Sequence, residues 1–112
     1  MAGDECCSFV VGETADGIGR VAVFGELDAA SSPSLCSALE LFAEKPDVHV
    51  VVVDVSGLEF IDSSGLSAIV RANQSLGERT GATICVTGAE GTVLRAFELT
   101  GLDTFLAAPA GE

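Results

Sequence analysis

The stretch that most constrains the fold is DVHVVVVDVSG, residues 47–57, whose central valine run lacks the alternation of apolar and polar residues expected of a strand with one face in water. β-Branched residues favour strands, and a near-continuous apolar strand is typical of the centre of a parallel sheet, covered on more than one side. Parallel neighbours must be joined by long crossover connections, which are usually helices. The sequence therefore predicts an α/β fold built around this strand.

The segments on either side supply the other elements of such a sheet. The predicted elements are strands at 8–14 and 19–28, a helix at 31–44, the central strand, a helix at 63–79, a strand at 82–88, a helix at 91–101 and a short strand at 104–108. The glycine-containing link ADGIG makes the first two strands an antiparallel hairpin. Ser32 is the predicted cap of the first helix with Pro33 at its first position, and Gly81 is the predicted left-handed end of the second. We expect a mixed, mainly parallel sheet of about four to five strands, with an initial hairpin and helices packed against it.

Length and charge limit the classes of partner. At 112 residues the chain supports one core, so we expect a single domain over residues 1–112 with its core at about 8–107. The 17 acidic residues against five basic ones give a net charge of -12, which repels nucleic acid and anionic membranes. The longest apolar run, residues 50–53, is too short to span a bilayer, and the acidic opening MAGDECC is unlike a signal peptide. We expect a cytoplasmic protein with no nucleic-acid or membrane partner.

The cysteines are not spaced as zinc ligands. They are Cys6, Cys7, Cys36 and Cys85. Reduced, buried thiols are the favoured interpretation in a cytoplasmic protein. A redox role for the adjacent Cys6 and Cys7 stays open as an alternative. It is disfavoured because neighbouring residues on a strand point to opposite faces.

Catalytic sites are difficult to build from the remaining residues. Asp54, near the end of the central strand, is either a phospho-acceptor or a cap for the following turn. A phospho-acceptor site needs a metal-binding acidic pair and a lysine, and the only lysine, Lys45, is predicted at the end of the first helix. The cap is therefore the favoured role. The only histidine, His49, stands at the opposite end of this strand from Ser63, which argues against a serine–histidine triad. We therefore expect a protein that is not an enzyme and binds no metal. The alternative is a small hydrolase-type enzyme that uses Asp54, Asp62 or Ser63 as its nucleophile.

The turn FIDSSGLS, residues 60–67, carries more polar groups than a helix start requires. One of Asp62, Ser63 or Ser64 is expected to cap the helix, which is worth about 1 kcal/mol and leaves the other two unexplained. Gly65 costs roughly 1 kcal/mol of helix propensity and allows another surface to approach the backbone.

A serine hydroxyl at an exposed helix start is also suited to phosphorylation. The free N–H groups and the dipole of the helix tolerate a dianion there. Carboxylates nearby, at Asp62 and on the segments that carry Asp28 and Glu59, would sharpen the effect, because a phosphate added to a negative patch disfavours any partner that must desolvate it.

These residues resemble a known family. VVVDVSGLEFIDSSGLSAIV, residues 51–70, closely resembles the signature of the STAS domain, in particular of bacterial anti-sigma factor antagonists, in which an aspartate precedes the regulatory serine in a D-S-S-G turn. GELDAASSPSL resembles the second strand of the family and the entry to its first helix, and LRAFELTGLDTFL resembles its closing helix and strand. The resemblance covers nearly the whole chain and implies one STAS domain.

The resemblance implies a regulatory role for Ser63. This serine would be phosphorylated by the partner kinase, with Ser64 as the alternative acceptor, while Asp62, Asp28, Ser64 and Gly65 would shape the phosphorylation site and contact the partner. The unphosphorylated antagonist would bind an anti-sigma factor that is itself a serine kinase and thereby free a sigma factor. Phosphorylation would end that binding, a metal-dependent serine phosphatase would restore it, and the chain itself would need no cofactor.

One departure from the family pattern bears on the acceptor. Ser67 stands where a glycine is frequent in relatives, and it adds a third hydroxyl to the segment that carries Ser63 and Ser64.

A second assignment of function stays open. The chain could be a scaffold subunit of a larger sensory complex of similar domains. As an antagonist, it is expected to be a monomer or a weak dimer.

Overall fold

The computed structural model describes residues 7–15, 17–45 and 47–106. In chain order its elements are β1 (Cys7–Ala15), β2 (Ile18–Leu27), α1 (Ser32–Glu40), a 3₁₀ helix (Leu41–Glu44), β3 (Val50–Ile61), α2 (Ser63–Thr80), β4 (Thr83–Thr87), α3 (Gly91–Leu99) and a second 3₁₀ helix (Leu102–Phe105). The four strands form one sheet in the order β1-β2-β3-β4. β1 and β2 pair antiparallel, whereas β2, β3 and β4 are parallel. The predicted α/β fold, with a mainly parallel sheet and an initial hairpin, is confirmed.

The core lies between the sheet and the three helices. Alternate residues of β3 are fully buried, namely Val51, Val53 and Val55. They belong to one cluster with Leu35 and Leu39 of α1, Ile69 and Leu76 of α2, and Val93 and Phe97 of α3. The intervening Val50 and Val52 are only half-buried. β3 is therefore the central parallel strand that its sequence predicts, but its two faces are not equally covered, because all three helices contribute to the same cluster.

β3 begins three residues later and ends four residues later than the predicted 47–57, and it contains two irregularities. The strand runs to Ile61, seven residues beyond Asp54, which was predicted near its end. The pairing with β2 shifts once after Asp54 and again before Phe60. At the first shift the Asp54 carboxylate accepts a hydrogen bond from the Ser56 amide at 2.9 Å, so that amide is diverted from the ladder. Asp54 is instead the last residue of β3 that pairs with β4, opposite Thr87.

The ends of α1 and the segment at residues 104–106 differ from the prediction. Ser31, not Ser32, is the N-cap of α1, and Ser32 is a buried first residue of the helix. The helix ends at Glu40, and a 3₁₀ turn replaces its predicted last turn. The last predicted strand, at 104–108, begins inside the second 3₁₀ helix, and Leu106 alone makes a parallel bridge, to Val86. Ala107 and Ala108 lie outside the described residues.

The boundaries of α2 agree closely with the sequence. Its C-cap is Gly81, at φ 82°, and the Gly81 amide donates to the Gly77 and Leu76 carbonyls at 3.0 and 3.1 Å. This left-handed closure is the one predicted from the glycine. None of the helices in the described part of the chain has the length and apolar character needed to cross a membrane.

Candidate functional site

The polar turn lies where two parallel strands end together. Leu27 and Ile61, the last residues of β2 and β3, are partners in the sheet. Asp28 and Asp62 are the residues that follow, so the register of the sheet brings both to the same edge. The Asp62 amide donates to the Leu27 carbonyl at 3.1 Å, which ties the start of α2 to the end of β2.

Asp62 is the cap of α2. Its Oδ1 atom accepts hydrogen bonds from the amides of Ser64 at 2.9 Å and Gly65 at 3.1 Å, and its carbonyl accepts from the Leu66 amide at 3.0 Å. The hydroxyls of Ser63 and Ser64 are therefore not required for capping. Because the carboxylate already occupies two of the N–H groups at this helix end, those groups are not free to receive a phosphate, contrary to the expectation from the sequence.

The three residues after the cap differ in exposure. Ser63 is exposed, Ser64 is half-buried and Gly65 is buried. A Cβ atom at Gly65 would lie 2.8 Å from Leu27 Cγ and 2.9 Å from Ile61 Cγ1. The close approach predicted at this glycine is made inside the domain by two core side chains, and the predicted contact of Gly65 with a partner stays a prediction.

The Asp28 carboxylate organises the turn that leads into α1. Its Oδ1 atom accepts from the amides of Ala30 at 3.0 Å and Ser31 at 3.2 Å, and from the Ser31 hydroxyl at 3.2 Å. The Asp28 amide in turn donates to the Ser31 hydroxyl at 3.0 Å. Asp28 thus holds its carboxylate at the sheet edge while it fixes a neighbouring loop. Glu59, three residues before Asp62 and on β3, is exposed and carries a further carboxylate on this part of the chain.

A groove runs along α2 from Ser63. The cavity at its base has a volume of about 370 Å³. It is lined by Ser63, Leu66, Ser67, Val70, Arg71, Thr100 and Leu102. A second cavity, of about 220 Å³, lies between α1 and α2 and is lined by Ser32, Pro33, Cys36, Ser37, Ala68 and Arg71. Arg71 borders both.

Sequence reasoning did not single out Arg71 or the far wall of the groove. The four-residue spacing of Ser63, Ser67 and Arg71 places them on one side of a helix, and that signal was available. Thr100 and Leu102 come from the segment after α3, and no local pattern in the sequence brings that segment against α2.

Cys36 is a free, half-buried thiol beside the second cavity. Its Sγ atom donates to Glu40 Oε2 at 3.5 Å. Burial raises the pKa of Cys36, and the hydrogen bond and negative charge of Glu40 raise it further, whereas the positive charge of Arg71 lowers it. Cys85 is also free and half-buried. Cys6 and the side chain of Cys7 lie outside the described residues, so the redox alternative for this pair stays a prediction.

The histidine and the serine considered for a catalytic triad lie apart. His49 precedes β3, whereas Ser63 follows it, so the strand separates the two side chains as predicted. The Asp54 carboxylate bonds the Ser56 amide, which is the local role predicted as the alternative to a phospho-acceptor. Within residues 7–15, 17–45 and 47–106, no three histidine, cysteine, aspartate or glutamate side chains form a group able to hold a metal ion.

Comparison with known proteins gives the family. The family model for the STAS domain matches residues 10–109. The chain belongs to the STAS domain family. This STAS domain is 33% identical over 84 residues to the anti-sigma-B factor antagonist of Listeria monocytogenes, which corresponds to 75% of this chain and 72% of that protein. The match to the protein of the same name from Listeria innocua has the same identity and coverage.

Solved structures agree with this assignment. The anti-sigma factor antagonist from Mycobacterium paratuberculosis superposes with a TM-score of 0.76 at 29% identity, over 98% of this chain and 92% of that one. The unphosphorylated anti-sigma factor antagonist SpoIIAA superposes with a TM-score of 0.77 at 19% identity, over 93% of this chain and 90% of that one. At that identity the second likeness concerns the fold alone.

Proposed function

We propose that this STAS domain is an anti-sigma factor antagonist that is switched at Ser63. The unphosphorylated chain binds an anti-sigma factor that is also a serine kinase, and the sigma factor is released. A phosphate on Ser63 ends the binding, and a metal-dependent serine phosphatase restores it. The chain acts here as a regulatory protein and not as an enzyme, and ATP and magnesium belong to the kinase. The names of the relatives support this assignment.

The observation that carries the proposal is the division of labour in the D-S-S-G turn. Asp62 alone bonds the first amides of α2, and Ser63 beside it is exposed. The hydroxyl of Ser63 is thus available to an enzyme without loss of the cap. Ser64 is half-buried, so it is the less accessible acceptor.

The charges around Ser63 explain how one phosphate would expel a partner. Asp62 is adjacent in the chain, and Asp28 follows the neighbouring strand at the same edge of the sheet. Two like charges about 4 Å apart repel by about 1 kcal/mol in water but by about 4 kcal/mol at the effective dielectric near a protein surface. When a partner covers the site and excludes water, the repulsion between the phosphate and a carboxylate rises by about 3 kcal/mol, and this increase opposes binding. A 100-fold loss of affinity needs only about 2.7 kcal/mol.

The test uses three variants with the serine-kinase anti-sigma factors of the same genome. Each purified kinase is incubated with the chain and ATP-magnesium, the phosphate is located by peptide mass spectrometry, and affinity is measured by calorimetry. Ser63→Ala should bind without being phosphorylated at this turn. Ser63→Glu should bind at least about tenfold more weakly, a loss of about 1.4 kcal/mol. Ser64→Ala is the matched control and should be phosphorylated and released as the wild type is.

Two outcomes would change the proposal. If Ser64→Ala loses the phosphate and Ser63→Ala retains it, the acceptor is Ser64. If both Ser63 variants bind and are phosphorylated like the wild type, neither the site nor the switch is at Ser63.

A further inference from the structure

Arg71 is an exception in an acidic protein. The chain has only five basic residues, and Arg71 is the charged side chain among those that line the groove beginning at Ser63. Most of the groove wall is apolar, contributed by Leu66, Val70 and Leu102. A cavity of this size, with apolar walls and a single cation, has the usual composition of a recognition site.

The two ends of the groove carry opposite charge. Ser63 and Arg71 are eight residues apart on α2, or about 12 Å along its axis. The end at Ser63 lies beside the carboxylates of Asp62 and Asp28, whereas the other end is the guanidinium of Arg71. A segment lying in the groove would therefore meet a negative end and a positive end two helical turns apart.

We infer that this groove receives an apolar segment of the anti-sigma factor partner, and that a carboxylate on that segment pairs with Arg71. The inference rests on the proposed function, because the groove includes Ser63 and is continuous with the proposed binding surface. A net charge of -12 attracts basic partners from a distance, but a basic side chain opposite Arg71 is repelled. Arg71 thus selects the register of the partner, and its planar guanidinium suits two hydrogen bonds to one carboxylate.

The first test reverses the charge of Arg71. The probe is whichever purified anti-sigma factor kinase binds the Ser63→Ala chain, which serves as the background so that phosphorylation cannot intervene. Arg71→Glu should weaken binding at least about 30-fold, mainly through faster dissociation, because it places two carboxylates together in a water-excluded contact. Arg79→Glu makes the same change of net charge on the same helix, outside both cavities, and should alter affinity less than about threefold.

The second test fills the groove without changing charge. Ser67 is exposed and lines the cavity, whereas Gln74 is exposed on the same helix outside it. Ser67→Trp should abolish measurable binding, and Gln74→Trp should leave it unchanged. Thermal unfolding of Arg71→Glu, Ser67→Trp and Gln74→Trp should match that of the background chain, because these side chains lie on the surface. Arg79 lies in the last turn of α2, so Arg79→Glu should lower the unfolding temperature slightly while the chain stays folded at the temperature of the binding assay.

The outcomes separate this inference from the proposed function. If no anti-sigma factor kinase of the genome binds the background chain, the proposed function is refuted and the inference falls with it. If the background chain binds but Arg71→Glu and Ser67→Trp bind equally well, only the groove inference is overturned. Equal weakening by Arg79→Glu and Arg71→Glu would also overturn it, because the effect would then be one of net charge alone.

Discussion

Replacing Gly65 with alanine tests the packing at the start of α2. The added methyl group would lie 2.8 Å from Leu27 Cγ and 2.9 Å from both Leu27 Cδ2 and Ile61 Cγ1. Both neighbours are buried, with 0% and 6% of their surfaces exposed, so neither side chain can turn into solvent. The helix or the end of the sheet must shift to make room.

The expected magnitude is a balance of two terms. Overpacking of a core contact costs about 1–3 kcal/mol, whereas exchange of glycine for alanine in a helix contributes at most about 1 kcal/mol of stability. A shift of α2 would also lengthen the 3.1 Å bond from the Gly65 amide to Asp62. We expect Gly65→Ala to lower the free energy of unfolding by about 1–2 kcal/mol.

Gly77 supplies a matched control in the same helix. A Cβ atom there would meet only the Ala82 carbonyl oxygen, at 3.8 Å, an ordinary contact. Gly77→Ala should therefore raise the free energy of unfolding by about 0.5–1 kcal/mol. Urea unfolding followed by circular dichroism measures both. If Gly65→Ala is as stable as Gly77→Ala, the packing argument for Gly65 is refuted.

Two further predictions concern the cap and the thiol. Asp62→Ala should lower the free energy of unfolding by about 1 kcal/mol, while Asp62→Asn, which keeps the acceptor, should cost much less; equal losses in urea unfolding would contradict the capping role. Because the pKa of Cys36 is raised, iodoacetamide should alkylate it at pH 8 more slowly than it alkylates the cysteine of a short unstructured peptide, as followed by mass spectrometry of the peptide that contains Cys36. Glu40→Gln should speed this reaction by lowering the pKa, and Arg71→Gln should slow it by raising the pKa; changes of the opposite sign would refute the assigned causes.

Local signals predicted the elements, and non-local pairing decided the details that sequence reasoning missed. α2 was predicted almost to the residue because both ends carry their own signals, a polar cap and a left-handed glycine. The end of β3 was predicted four residues too early because Asp54, whose position indicated a nearby strand end, bonds an amide within an irregular stretch of the same strand. In the described part of the last predicted strand, Thr104 and Phe105 belong to a 3₁₀ turn and Leu106 makes a single bridge to β4.

The sequence predicted the local part of the candidate site but not the contacts that depend on the fold. The D-S-S-G turn is contiguous, so its excess of polar groups is visible in the sequence. The side chains that contact Gly65 were not visible in the sequence, because Leu27 approaches Gly65 only after β2 and β3 have paired. The groove likewise depends on where the segment carrying Thr100 and Leu102 packs, which is a property of the whole fold.

The hydrogen bonds of Asp62 restrict how any modifying enzyme can approach Ser63. Its amide is bonded to β2, its carbonyl to Leu66, and its side chain to Ser64 and Gly65, so the backbone just before the serine is held from several directions. This segment cannot be drawn out as an extended peptide without breaking the sheet edge and the first turn of α2 together. An enzyme acting on this serine must therefore fit the folded domain around it, and its selectivity would depend on three-dimensional shape rather than on a linear sequence motif.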